Sequence, residues 1–132
     1  MRFPYLASYS PPAPGLDIRL AYPGEDFPGR PLSALVDTGA DGTLVPLRLL
    51  DEINAPIVDQ MRIRSHWGEW RRVDIYTVDI EVAGLRFPAV EVVGDEKDEE
   101  IILGRNFLNW LHLLLEGPSL RVDFRERWSF LG

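Results

Sequence analysis

The most constraining stretch of the chain is Leu32-Ser33-Ala34-Leu35-Val36-Asp37-Thr38-Gly39-Ala40-Asp41-Gly42-Thr43-Leu44-Val45-Pro46. A short apolar segment runs into Asp-Thr-Gly-Ala and leaves as a second short apolar segment. Each run is too short for a stable helix and is bounded by turn residues, so both read as strands. An acid at the end of a strand that enters a core is partly desolvated, and burying a charge is costly unless it has a partner or a task. Asp37 stands at that point. Thr38 adds a hydroxyl that can bridge to backbone. Gly39, without a Cβ, lets amide groups approach the carboxylate and allows the turn to reach positive φ. Asp, Thr and Gly are also ordinary hairpin-turn residues, so the tripeptide alone leaves a plain turn open.

Its company narrows the choice. Downstream, Ile101-Ile102-Leu103-Gly104-Arg105-Asn106-Phe107-Leu108 sets a short apolar run and a glycine before a helix start. The two stretches together resemble the retropepsin family, the single-domain aspartic proteases of retroviruses and their cellular and bacterial relatives. In that family Asp-Thr-Gly-Ala-Asp carries the catalytic acid, and an apolar-apolar-Gly-Arg-Asn segment lies beneath its loop. The resemblance implies an all-β, closed retropepsin-like sheet or barrel with one or two short helices, the acid protease fold.

Peptide hydrolysis of this kind needs two carboxylates about 3 Å apart that share one proton. This chain holds one Asp-Thr-Gly, with no internal repeat. An aspartic protease built from it is therefore a two-fold symmetric homodimer with Asp37 from each subunit. By resemblance, Asp37, Thr38 and Gly39 form the catalytic loop, Thr38 bonding across the dyad and Gly39 presenting its backbone to substrate. Ala40, Asp41 and Gly42 would line the substrate. Asp41 reads either as a solvated turn acid or, as in the family, as a bidentate partner of Arg105, with Gly104 and Arg105 as structural support. Gly42 stands where retroviral enzymes often carry another acid, so side-chain selectivity does not carry over.

The strands 57–64 and 70–82 flank Ser65-His66-Trp67-Gly68-Glu69, in the place of the family's flap. His66, Trp67 and Gly68 are the substrate-facing candidates there. This tip departs from the glycine-rich retroviral pattern. Trp67 and Trp70 either cover apolar substrate side chains or seal the hairpin against its own core. The apolar alternation slips at Ile75–Tyr76, which predicts a bulge or a crossing between sheets, and Pro88 has to sit at an edge or a bulge.

The remaining expectations are quickly stated. The 132 residues make one domain. Residues 1–15, with Pro4, Pro11, Pro12 and Pro14, read as a Pro-rich arm, not a packed element, before a domain over 16–132. A helix is expected over 46–53 and another over 105–111, with a closing hairpin over 113–124. Aromatic and apolar residues at Trp128, Phe130 and Leu131 resemble an interface strand or close the chain's own sheet. No cysteine is present, which removes disulfides and thiolate metal sites; His66 and His112 lack ligand spacing, so no metal and no cofactor are expected. A net charge of −7 argues against a nucleic-acid partner. No apolar run approaches the roughly 18 residues of a membrane span. Without an apolar leader at Met1–Tyr5, the expected location is cytoplasmic. The expected activity is an aspartic endopeptidase acting on extended peptide. The rivals are a catalytically silent dimerisation or peptide-binding module of the same fold, and an unrelated β-barrel in which Asp-Thr-Gly is accidental.

Overall fold

A computed structural model describes residues 1–64 and 68–126. Its elements, in order, are β1 (Arg2–Pro4), β2 (Gly15–Ala21), β3 (Leu32–Val36), β4 (Thr43–Pro46), α1 (Leu47–Glu52), β5 (Ile57–Arg64), β6 (Trp70–Val82), β7 (Leu85–Asp95), β8 (Ile101–Leu103), α2 (Arg105–Leu108), β9 (His112–Glu116) and β10 (Arg121–Arg125). The larger sheet runs β2-β3-β8-β4-β7-β6, and β6 returns to pair with β2, closing a six-stranded barrel. The expected all-β, retropepsin-like closed sheet with two short helices is what the chain forms. Its interior is filled by branched aliphatics such as Leu16, Ile18, Val45, Val78, Ile80 and Leu103, all fully buried.

Most strand bounds follow the apolar pattern. The slip at Ile75–Tyr76 is real: β5 and β6 change register between Ile57 and Asp59, opposite those two residues, and both are buried. There β6 leaves the β5 hairpin and enters the barrel, pairing with β7 from Ile75 and with β2 from Asp79. α2 is shorter than expected. It ends at Leu108, and residues 109–111 continue in single turn bonds (Trp110 N–H to Phe107, Leu111 N–H to Leu108) as the chain swings into β9. His112, expected beside the helix, therefore opens a strand.

Residues 1–15 are not an unpacked arm. β1 pairs antiparallel with β10, setting Phe3 against Val122, both buried. The amino group of Met1 donates to the Phe124 carbonyl at 2.8 Å. Leu6 and Ala13 exchange backbone bonds, and Leu6 lies so close to Gly15 that a Cβ there would sit 2.6 Å from it. Proline content signals an open chain because proline cannot donate to a ladder. Here the apolar residues Phe3, Tyr5 and Leu6, which flank Pro4 and precede the other prolines, supply the packing. The apolar tail at Trp128, Phe130 and Leu131 lies outside the described residues.

Pro88 does fall in a bulge. Val78 pairs with Val90 and Ile80 with Phe87, leaving Pro88 and Ala89 opposite Asp79, with Ala89 at φ 53°. Asp79 is 2 % exposed and makes that bulge tenable. Its carboxylate accepts the Ala89 amide at 2.9 Å and the Gly24 amide at 2.9 Å, and pairs with Arg86. Burial works against the Asp79 charge, but the two amides and the guanidinium outweigh it and hold the carboxyl below the usual carboxylate range. A carboxyl lowered in the fold contributes stability above its unfolded value and loses it as pH falls through the folded value. Asp79→Ala should therefore cost about 3 kcal/mol at neutral pH. In urea titrations, the gap from wild type should close only below about pH 4.

Candidate active site

The barrel's two parallel pairings decide where the acidic loop sits. β3 runs parallel to β8, with Val36 opposite Leu103, so Asp37 and Gly104 leave the same end of the sheet as neighbours. The Asp37 amide donates to the Leu103 carbonyl at 3.0 Å. One residue later the two chains are in contact: a Cβ on Gly104 would lie 2.1 Å from the Gly42 carbonyl oxygen and 3.0 Å from that of Ala40. Only glycine fits there.

Within the loop, Asp37 is half-buried, and its Oδ1 accepts the Gly39 amide at 2.9 Å. Its carbonyl accepts the Ala40 amide at 3.2 Å, closing a tight turn. Gly39 is not at positive φ, contrary to the sequence expectation. Its missing Cβ serves the close approach instead, since one would sit 3.2 Å from Asp37 Oδ1. Thr38 is exposed, and its carbonyl accepts from Arg105 Nη1 at 2.7 Å.

Arg105 is the strut beneath the loop. Its Nη2 pairs with Asp41 Oδ1, so the expected ion pair forms. It is not bidentate: the guanidinium fork is divided between the Asp41 carboxylate and the Thr38 carbonyl. Asp41 is thereby turned to the cation. Backbone bonds from Arg105 N–H to Ala40 (2.8 Å) and from Asn106 N–H to Asp41 (3.2 Å) complete the seam.

Three residues beyond the sequence candidates belong to this assembly. Thr43 is 1 % exposed; its hydroxyl accepts the Gly104 amide at 3.1 Å and donates to Asn106 Oδ1 at 2.8 Å. Asn106 in turn donates from Nδ2 to the Glu91 carbonyl, tying the seam to β7. A threonine opening a strand two residues past Asp41, and an asparagine after Gly-Arg, were the available signals. Tyr9 carried none. Burial and the neighbouring carboxylates, Glu100 first and then Asp37 and Asp98, push its pKa up to about 12. The Pro-rich segment thus lies within electrostatic reach of the acidic loop.

The β5–β6 hairpin carries the other candidates. His66 and Trp67 lie outside the described residues. Gly68 takes φ +83° beside the Arg64 guanidinium of its own hairpin. Trp70 is 57 % exposed under Arg62, 5.3 Å from ring centroid to guanidinium carbon, so it does not seal a core.

A family model described as "gag-polyprotein putative aspartyl protease" matches residues 26–110. The solution structure of the simian foamy virus (mac) protease is similar at 27 % identity and TM-score 0.53, over 73 % of this chain and 92 % of that one. A retropepsin-like aspartic protease from Rickettsia conorii matches at TM-score 0.63 and 9 % identity, over 94 % of this chain and 88 % of that one. The EIAV protease, solved with the inhibitor HBY-793, matches at TM-score 0.52 and 20 % identity, over 74 % and 86 %. The latter two identities speak for the fold alone. Among curated proteins, no significant match is found.

Thr43→Val keeps the side chain's shape but strands the buried Gly104 amide. It should cost about 1–3 kcal/mol in thermal unfolding, and Thr43→Ser should recover most of that loss.

Proposed function

The chain belongs to the retropepsin-like, gag-polyprotein aspartyl protease family, and on that premise we propose that it is an aspartic endopeptidase acting as a symmetric homodimer. The observation that carries the reading is the half-buried Asp37, held by the Gly39 amide on a loop that Gly104, Arg105 and Thr43 brace from below. A braced carboxylate meets the demand that a reacting group be fixed before substrate arrives.

One chain supplies one such acid, and the two-fold axis supplies the other. Like charges that close cannot both ionise, so in this mechanism the Asp37 pair shares a single proton. The ionised member takes a proton from the attacking water while the protonated member polarises the scissile carbonyl. The tetrahedral carbon then collapses, and the leaving amine takes the proton. Thr38 bonds to the partner's loop, holding the acids nearly coplanar. Substrate is an extended peptide, bonded by Gly39, Ala40, Asp41 and Gly42 below and by the β5–β6 hairpin above. That hairpin, with His66, Trp67 and Gly68 at its tip, acts as the flap that excludes water.

Asp37→Asn should abolish cleavage of a peptide library while leaving circular dichroism and dimer mass unchanged, and a pepstatin-type inhibitor should block the wild type. Cleavage that survives Asp37→Asn would sink the acid-pair mechanism and leave the silent binding module as the better account.

Arg105→Ala should weaken the dimer about tenfold by sedimentation, because it frees the Thr38 backbone. The monomer fold should lose less than about 1 kcal/mol, since the ion pair itself is solvent-exposed. Equal losses in both would remove the dimer-specific role.

A further inference from the structure

The small sheet β1-β10-β9 has two outer edges, and they are treated differently. β1 is three residues long and ends in Pro4, which has no N–H to offer a further strand. β9 is five residues long, contains no proline and, among the described residues, pairs with β10 alone. Its leucines are poorly covered. Leu115 stands opposite Val122, on the face where Val122 and Phe124 are buried, yet is 47 % exposed. Leu114, on the other face, is 44 % exposed. A core-facing leucine left half in water at a bare edge is a sheet that stops one strand short.

The β5 edge offers a contrast. Among the described residues it too is paired on one side alone, but it interleaves the charges of Asp59, Arg62 and Arg64 with its apolar residues, the pattern that discourages pairing. β9 has no charge between its ends.

We infer that β9 pairs antiparallel with β9 of a second copy of this chain, making one continuous six-stranded sheet β1-β10-β9-β9-β10-β1 across the dimer. The register follows from the strand itself. A two-fold axis through Leu114 uses all five residues, sets Leu114 against the partner's Leu114, and Leu113 against the partner's Leu115. It also sets His112 against the partner's Glu116, an imidazole donor facing a carboxylate acceptor at each end. Leu115 is then covered by the partner's Leu113, which already packs on the core. In this arrangement β1 stays within its own subunit, so the terminal strands do not interleave. The inference rests on the homodimer reading above, because the site is incomplete without a second Asp37; it names the surface that brings the second copy.

The chain has no cysteine, so a single introduced thiol is a clean probe. Opposed residues in an antiparallel pair have Cα atoms about 4.5–5.5 Å apart, within disulfide reach. Mild oxidation of Leu114→Cys should give a covalent dimer that retains Asp37-dependent cleavage, while Ile57→Cys on the β5 edge should stay uncrosslinked. Leu115→Lys, which sets a cation in the same seam, should raise the dimer dissociation constant at least tenfold in sedimentation with circular dichroism unchanged. An active wild-type dimer in which Leu114→Cys does not bridge and Leu115→Lys sediments as wild type would overturn the β9 interface and leave the acid-pair reading standing. A wild type that is monomeric and shows no Asp37-dependent cleavage would overturn both.

Discussion

The contact on which the rest of the structure depends is backbone against backbone: the Cα of Gly104 facing the carbonyls of Gly42 and Ala40. It exists because β3 and β8 are parallel neighbours and end level, so two loops must share the space beyond them. Loops that leave a sheet side by side usually keep apart, because each carries unsatisfied polar groups. Here glycine removes the side chain that would separate them. The bonds across the seam (Arg105 N–H to Ala40, Asn106 N–H to Asp41, Gly104 N–H to the Thr43 hydroxyl) then satisfy those groups mutually. A loop fixed from below in this way holds the Asp37 backbone in place, and of the bonds named the carboxylate takes part in the one from the Gly39 amide.

The barrel contains two acids in contrasting circumstances. Asp79 is sunk in the wall, met by two amides and a guanidinium, and closes a bulge in β7. Its charge is fully answered within the chain, which suits a structural part. Asp37 is half-buried, and what its carboxylate receives is the Gly39 amide. An acid so placed retains the capacity to take a further partner, and under the proposed mechanism that partner is its own twin. The same side chain thus serves as fastener or as reagent according to how many donors the fold has aimed at it.

Local chemistry that repeats with a strand's period was readable from the sequence. The strand-acid-strand passage at Asp37, the slip at Ile75–Tyr76 and the demand that Pro88 sit at an edge or a bulge all emerged as expected, because each is a statement about one or two neighbouring residues. What escaped were facts of distance along the chain. Phe3 looks like a stray aromatic among prolines until Val122 is set opposite it. Thr43 looks like an ordinary strand residue until the Gly104 amide and Asn106 converge on its hydroxyl. Tyr9 had no signal at all. Division of the Arg105 fork between Asp41 and Thr38 was likewise beyond pattern, since charge sign predicts a pair but not its geometry.

Exposed apolar residues complete the account. Isolated ones are normal on any surface. In this chain several of them gather on two projecting features: Ile57, Val58, Met61 and Trp70 on the β5–β6 hairpin, and Leu114 and Leu115 on β9. Neither group could be buried by a small local rearrangement, because both lie on strands whose other side is already paired into a sheet. Among the described residues neither group is covered. Under the proposed function the hairpin meets substrate and β9 meets a second copy, so these two exposed apolar groups face the two partners the chemistry requires. A fold that left its hydrophobic deficits elsewhere would gain neither the second acid nor the cover over it.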